Sequence, residues 1–385
     1  MKRNVYWIIL WCSTLFACQS NQPGKDEAAI PQPELAPKIV DSLDYMIGQM
    51  LMVGFRGTQP DSIGEIGSMI ENGNLGGVIL YEYDVPLKSR PRNITSAEQI
   101  KDLCSYLQDL RPEPLLIGID EEGGKVTRLK ERYGFQTIPS AQYLGELDLL
   151  DSTRHYAQLN GQKLKSVGVN VNFAPVVDLN VNPQSPAIGA IERSFSAETG
   201  PVGRHMTAYL EGQQSAGVVG CIKHFPGHGS ATTDSHEGFT DVSATWSALE
   251  LQPYVDFIEQ ALPGMIMTAH VYNKILDPTY PATLSAPTIQ GLLRSKHRYN
   301  GVIISDDLMM GAVSEQFGFE EGIQLALAAG VDILLFSNNI PGQYDPKIAS
   351  KVHQLIGQWV DEGTIQRARI EQSFERIQAV KKAYL

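Results

Sequence analysis

Short apolar runs rich in β-branched residues recur along the chain from about residue 50. They read MLMVGF (50–55), GGVILYEY (76–83), PLLIGID (114–120), VNFAPVVDL (171–179), VVGCIKHF (218–225), GMIMTAHV (264–271), GVIISDD (301–307) and VDILLFSN (331–338). Runs of this length and composition predict strands. Between them lie longer stretches with apolar positions three and four residues apart, which predict amphipathic helices. LELQPYVDFIEQAL and IEQSFERIQAVKKAYL are among the clearest. Gly77, Gly217, Gly301 and Gly330 stand at or before strand starts, where a left-handed cap would end the preceding helix. The strands are apolar on both faces, as in a parallel sheet covered by helices. Eight β–α units over about 340 residues predict an α/β fold, a TIM-type (β/α)8 barrel in one domain, residues 41–385. A doubly wound open sheet is the alternative that periodicity leaves open.

The N-terminus does not share this pattern. In MKRNVYWIILWCSTLFA, Lys2 and Arg3 precede a nearly unbroken apolar stretch from Val5 to Ala17. That stretch is too short for a membrane-spanning helix and predicts a secretory signal, residues 1–17. Leu15-Phe16-Ala17-Cys18 resembles the lipobox of bacterial lipoproteins, in which the chain is cut before a cysteine that then carries lipid; an ordinary signal peptide is the plainer reading. Residues 18–40 hold Pro23, Pro31, Pro33 and Pro37 and few bulky apolar groups, the composition of an extended tether. The expectation is an exported protein anchored to the bacterial envelope, at the outer membrane, on its periplasmic or surface face.

Loss of residues 1–17 takes the formal net charge from −12 to −14. An acidic body of this kind excludes nucleic acid as a partner, since phosphate contacts need clustered Lys and Arg. Cys104 and Cys221 remain once Cys12 and Cys18 are set aside. Two cysteines so far apart make no disulfide framework, and both are expected to be free and buried.

The strand ends are unusually polar: Asp120, Asp178, Lys223, His224, His270 and Asp306 all close strands, the positions where barrels and open sheets gather function. The fifth strand runs into KHFPGHGSATTDSHEG, which concentrates His224, His228 and His236 in a chain with eight histidines. His224 and His228 have the four-residue spacing of zinc ligands on a helix, but Pro226 and Gly227 between them break a helix. A loop-built metal site and a purely structural role stay open. Proton transfer is the third reading: Asp234, two residues before His236, can fix the tautomer of that ring and support its imidazolium form. No GxSxG elbow supplies a serine, so a nucleophile would be a carboxylate such as Asp306.

KHFPGHG, followed by DSH eleven residues after the lysine, resembles glycoside hydrolase family 3 in its β-N-acetylhexosaminidase branch. IDEEGGKVTRL (119–129), VNFAPVVDLN (171–180), IERSFS (191–196), TAHVYNKILDPTYPATLS (268–285) and GVIISDDLMMGAV (301–313) look like that family's blocks in its order. The resemblance runs from about residue 45 to 340 and implies the barrel rather than the open sheet. It also implies an exo-acting, retaining β-N-acetylhexosaminidase that releases non-reducing terminal β-linked N-acetylglucosamine from cell-wall fragments, chitin oligomers or glycans.

By the same resemblance Asp306 is the nucleophile, His236 the acid/base and Asp234 its support. Asp120, Arg128, Arg193, Lys223 and His224 would bind the sugar. Asp307 reads as support for its turn, Asp178 as structural, and His228 as a brace for the loop. No metal or cofactor is implied, and the protein is expected to be a monomer. Departures from the pattern are small: Glu121 stands where glutamine is frequent, and Ala190-Ile191-Glu192 precede Arg193 where Gly-Asp is common. Glu237 is a spare carboxylate beside His236. The stretch after Asn338 is expected to be too short for the second domain that many relatives carry. Two rival readings are a phosphorylase on the same scaffold and a glycan-binding lipoprotein without catalysis.

Overall fold

The computed structural model describes residues 42–233 and 238–385; Cys18, Asp234, His236 and Glu237 lie outside them. Ten strands form among these residues. They are β1 (Leu51–Gly54), β2 (Gly77–Ile79), β3 (Leu116–Ile119), β4 (Val171–Asn172), β5 (Val219–Phe225), β6 (Thr240–Asp241), β7 (Met265–Thr268), β8 (Val271–Tyr272), β9 (Ile303–Ile304) and β10 (Leu334–Phe336). Eight of them make one parallel sheet in the order β10-β1-β2-β3-β4-β5-β7-β9. The sheet curls until its ends meet: Ile304 bridges Ile333, and Ser305 N donates to Ile333 O at 2.9 Å. Each of the eight apolar runs therefore contributes one strand of a barrel. The laddered part is shorter than the run, because residues such as Leu80, Val176 and Val177 continue into the mouth and are buried there by loops.

Inside, alternate strands share a layer, as barrel geometry requires. Gly118 on β3 has no side chain because the Phe173 ring occupies that space; a Cβ there would lie 2.8 Å from it, with the Met52 sulfur of β1 behind. Outside, the helices match their predicted stretches: Gln252–Glu259 within 249–262, and Arg367–Tyr384 over the last run. Gly217 (φ 74) and Gly330 (φ 110) are left-handed as expected. Gly77 and Gly301 are not. Gly77 is already in β2, and the left-handed turns before β2 and β9 fall to Gly73 (φ 77) and Arg298 (φ 56). Cys104 and Cys221 are free and buried.

Two local features shape the mouth. Between β5 and β7 the register slips: Ile222 pairs with Ile266 but Phe225 with Thr268, so two residues of β5 oppose one of β7. The two are Lys223 and His224. Regular alternation would send neighbouring side chains to opposite faces, whereas a bulge re-aims one of them. Beside β5 and β7 stands a separate parallel ladder, with Thr240 of β6 against Val271 of β8.

Candidate active site

At the C-terminal end of β3 the chain reads Asp120-Glu121-Glu122, and strand alternation divides the three carboxylates. Asp120 and Glu122 face the mouth. Glu121 turns back into the protein, fully buried, and accepts from Lys163 Nζ (2.7 Å), Arg128 N (2.7 Å) and Leu129 N (2.9 Å), as well as from Thr127 Oγ1. One buried carboxylate thus ties the loop carrying Arg128 to the helix Leu150–Ser166.

From β5, Lys223 Nζ sits between the two outward carboxylates, 2.8 Å from Asp120 Oδ1 and 2.7 Å from Glu122 Oε1. Arg193 clamps Glu122 from the other side, with Nε and Nη2 donating at 2.9 and 2.7 Å, while its Nη1 donates to Ala187 O at 2.8 Å. Arg128 Nη2 reaches Asp120 Oδ2 at 3.2 Å. Burial alone would push both carboxyls up. The charges of Lys223 and Arg128 outweigh it at Asp120, which is held well below the usual carboxylate range; Arg193 and Lys223 hold Glu122 at about 2. Burial likewise works against the Lys223 cation, yet Asp120 and Glu122 keep it above the ordinary lysine range. Three cations and two anions remain ionised together, rigidly spaced, with donors and acceptors left over for a polyhydroxylated ligand.

His224 is held between two charges. Its Nδ1 lies 2.7 Å from Asp178 Oδ2 and its Nε2 lies 3.3 Å from Arg193 Nη2. A carboxylate can only accept and a guanidinium only donate, so these partners fix the proton on Nδ1. Asp178 also accepts from His228 N at 2.8 Å, which ties the loop after β5 to the end of β4. His228 is buried behind it, and desolvation depresses its basicity, to about 4. Below the loop, Glu250 packs against Gly227, and burial pushes its carboxyl up to about 7.

Across the mouth, Asp306 and Asp307 follow β9. Asp307 is buried and accepts from Met309 N (3.1 Å), Ser337 N (2.9 Å) and Ser337 Oγ, so it holds the turn. Burial raises it to about 6. Asp306 accepts from Asp307 N at 2.8 Å and lines the pocket. His270 lies beneath, with Nε2 2.9 Å from Asp307 O and Nδ1 2.9 Å from Thr283 Oγ1. The wall after β2 is pinned by Asp84, which Arg56 and the buried Arg92 both grip at 2.6 Å.

Together these residues enclose a pocket of about 370 Å³. Asp120, Arg128, Arg193, Lys223, His224 and Asp306 all line it, drawn from the ends of β3, β5 and β9 and the loop after β4, over an apolar floor of Phe173, Met267 and Leu335. Asp178, His228 and His270 stand behind the lining. Asp234 and His236, named from the sequence, are outside the described residues. Glu122, which grips both Lys223 and Arg193, is among the pocket residues that sequence reasoning missed. Its signal was present: in a strand reading I-D-E-E, the residue two after Asp120 shares its face.

Residues 42–380 match the family described as glycosyl hydrolase family 3 N terminal domain. The beta-hexosaminidase A of Pseudoalteromonas piscicida is 31% identical over 90% of this chain, which spans 62% of that protein's length. A beta-hexosaminidase of Idiomarina loihiensis is 34% identical over 69% of this chain and 83% of its own. Among solved structures, a glycoside hydrolase family 3 beta-N-acetylglucosaminidase from a Paenibacillus species superposes with a TM-score of 0.79 and 34% identity, covering 89% of this chain and 62% of that one. The beta-N-acetylhexosaminidase from Beutenbergia cavernae gives a TM-score of 0.78 at 26% identity, covering 89% of this chain and 98% of its own.

Proposed function

The chain belongs to glycosyl hydrolase family 3, and from that premise we propose that it is an exo-acting, retaining β-N-acetylhexosaminidase releasing terminal β-linked N-acetylglucosamine. The observation that carries this reading is the placement of Asp306 across one pocket from the interlocked Asp120, Glu122, Lys223 and Arg193. A pocket of about 370 Å³ closed by charged groups suits one sugar ring held by its hydroxyls. Asp306 attacks C1 of that ring, and the glycosidic C–O bond breaks as the ester to Asp306 forms. His236, steadied by Asp234, gives its proton to the departing oxygen. In the second step it takes a proton from water, whose oxygen displaces Asp306 and restores the β configuration.

Histidine suits the donor's role because its ordinary pKa already lies near neutrality, whereas a carboxylic acid has to be raised by burial. Cell-wall fragments, chitin oligomers and glycans all carry the bond to be cut. The N-terminal sequence supports an exported protein anchored through lipid on Cys18; among the described residues no helix is long and apolar enough to cross a membrane.

Replacing Asp306 with alanine should abolish release of 4-nitrophenol from its β-N-acetylglucosaminide while the fold is kept; near-normal turnover overturns the assignment. Running the native enzyme with and without phosphate checks the acceptor. Formation of the sugar 1-phosphate in place of free sugar would replace the hydrolase by a phosphorylase.

A further inference from the structure

The charged grip accounts for one terminal sugar, and an exo-acting enzyme needs a barrier against a second one beyond it. Asp306 follows β9, whereas Asp120 and Glu122 follow β3. In the closed order β10-β1-β2-β3-β4-β5-β7-β9, β9 and β3 are four strands apart in either direction, so they face each other across the barrel. C1 and C4 are opposite corners of a pyranose ring. With C1 at Asp306, C4 therefore points at the end of β3. A chain continued through O4 would have to leave over the loops that follow β3 and β4.

Those two loops are joined twice. Inside the pocket, Arg193 Nη2 donates to Glu122 Oε1 at 2.7 Å. Further along both loops, Lys125 Nζ lies 2.8 Å from Glu192 Oε1 and donates to Ala190 O at 3.3 Å. Beside this second pair stand Val126 and Ile191, one on each loop, and both line the pocket. Each is fixed by a local turn. Glu122 N and Gly123 N both donate to Val126 O, at 3.0 and 3.2 Å, which folds Val126 back beside Glu122. Opposite, Ile191 ends the 3-10 turn Gly189–Ile191, and Glu192 caps it with φ 65 and ψ 30. A glutamate rarely takes that left-handed conformation, and such outliers concentrate where function fixes the backbone. Val126 and Ile191 offer a further sugar no hydrogen bond, in a pocket whose hydroxyl-binding groups are charged.

We propose that Val126 and Ile191, strapped together by the Lys125–Glu192 ion pair, are the end wall that limits cleavage to one terminal hexosamine. A second sugar on O4 collides with this wall, so only the bond next to the terminal ring reaches Asp306. The wall sets specificity and touches no reacting atom. This rests on the function proposed above and adds the residues that make the action exo.

The test compares the 4-nitrophenyl β-glycosides of N-acetylglucosamine and of N,N′-diacetylchitobiose. Native enzyme should cut the second between its two sugars, so that N-acetylglucosamine is the first product and 4-nitrophenol follows after a lag. V126A/I191A should open the wall, and N,N′-diacetylchitobiose and 4-nitrophenol then appear together without a lag. The ratio of initial 4-nitrophenol release from the disaccharide glycoside to that from the monosaccharide glycoside should rise about tenfold. E192G removes the strap while suiting the left-handed backbone, and should raise the ratio less. Folded variants that still cut the monosaccharide glycoside but keep the native lag overturn the wall, and so do folded variants that lose both glycosides. Native enzyme that releases N,N′-diacetylchitobiose at once overturns the wall and leaves the hydrolase standing; native enzyme that cleaves neither glycoside removes both.

Discussion

Glu122 shows how much a single side chain does here. It is the shared counter-ion of Lys223 and Arg193, and both cations lose their common partner when it is neutralised. Because hydrogen bonds to charged groups are worth about 1.5–3 kcal/mol, E122Q should cut kcat/KM some ten- to hundredfold, with a lowered unfolding midpoint. An unchanged kcat/KM would show that the grip does not depend on this charge. His228 makes a second prediction, about acid. Its folded pKa of about 4 lies below its value in an unfolded chain, roughly 6.5. As pH falls from about 6.5 to 4 the unfolded chain takes a proton that the native ring refuses, so stability is lost across that window. Glu250, raised to about 7, acts in the opposite direction between about 7 and 4.5, because the native state keeps that proton longer. The total slope therefore hides both groups, and the difference between native protein and H228Q isolates one. Relative to the native protein, H228Q should gain stability as pH is lowered from 6.5 to 4; parallel profiles would refute the assignment.

At the level of elements, the loop from Asp120 to Leu129 depends on the helix Leu150–Ser166 through Glu121 and Lys163. Lys163 is 8% exposed at its side chain and Glu121 is fully buried, so neither charge can find water if its partner is removed. Breaking a buried pair from one side costs about 3–5 kcal/mol, whereas replacing both members is often close to neutral. E121Q and K163M should each destabilise, and the double variant should recover most of the loss in a double-mutant cycle. Simple additivity would mean that the pair carries no joint function. Arg128 rides on this loop, so the single variants should also raise KM more than they lower kcat.

The same block shows where pattern reading stops. The IDEEGG sequence placed three carboxylates at a strand end, and its departure from the family at Glu121 was visible. The charge of Glu121 proves to be answered by Lys163, forty-two residues away and unremarkable in sequence. The bulge at Lys223 and His224 was not legible either, because it exists only in the register between β5 and β7.

For the whole molecule, barrel closure is locked at the end opposite the pocket. Asp332, fully buried ahead of β10, accepts from Ile303 N (2.9 Å) on β9 and Ser373 Oγ (2.8 Å). It also meets Arg294 (2.5 Å), Arg376 (3.0 Å) and Arg369 (3.5 Å). Two of those arginines ride on the final helix, whose Phe374 packs edge-on against Tyr45 of the first, so one carboxylate joins the seam to both ends of the barrel domain. D332N leaves three guanidinium groups without their anion and should lower unfolding free energy by about 3–5 kcal/mol, with kcat/KM of the folded protein little changed. A denaturant titration alongside activity checks both; a midpoint equal to the native one would refute the lock.

By itself the sequence determined the eight strands and the family blocks, and through the resemblance those blocks carry it implied the barrel and the candidate lining residues. Those properties rest on local periodicity and on short motifs, which are written in neighbouring residues. Only the tertiary structure decided that Glu122 rather than Glu121 enters the pocket and that Lys223 neutralises Asp120 from 103 positions away. It alone decided that Lys125 meets Glu192. Such pairings follow from which strands close on one another and in what register, and no window of adjacent residues contains that information.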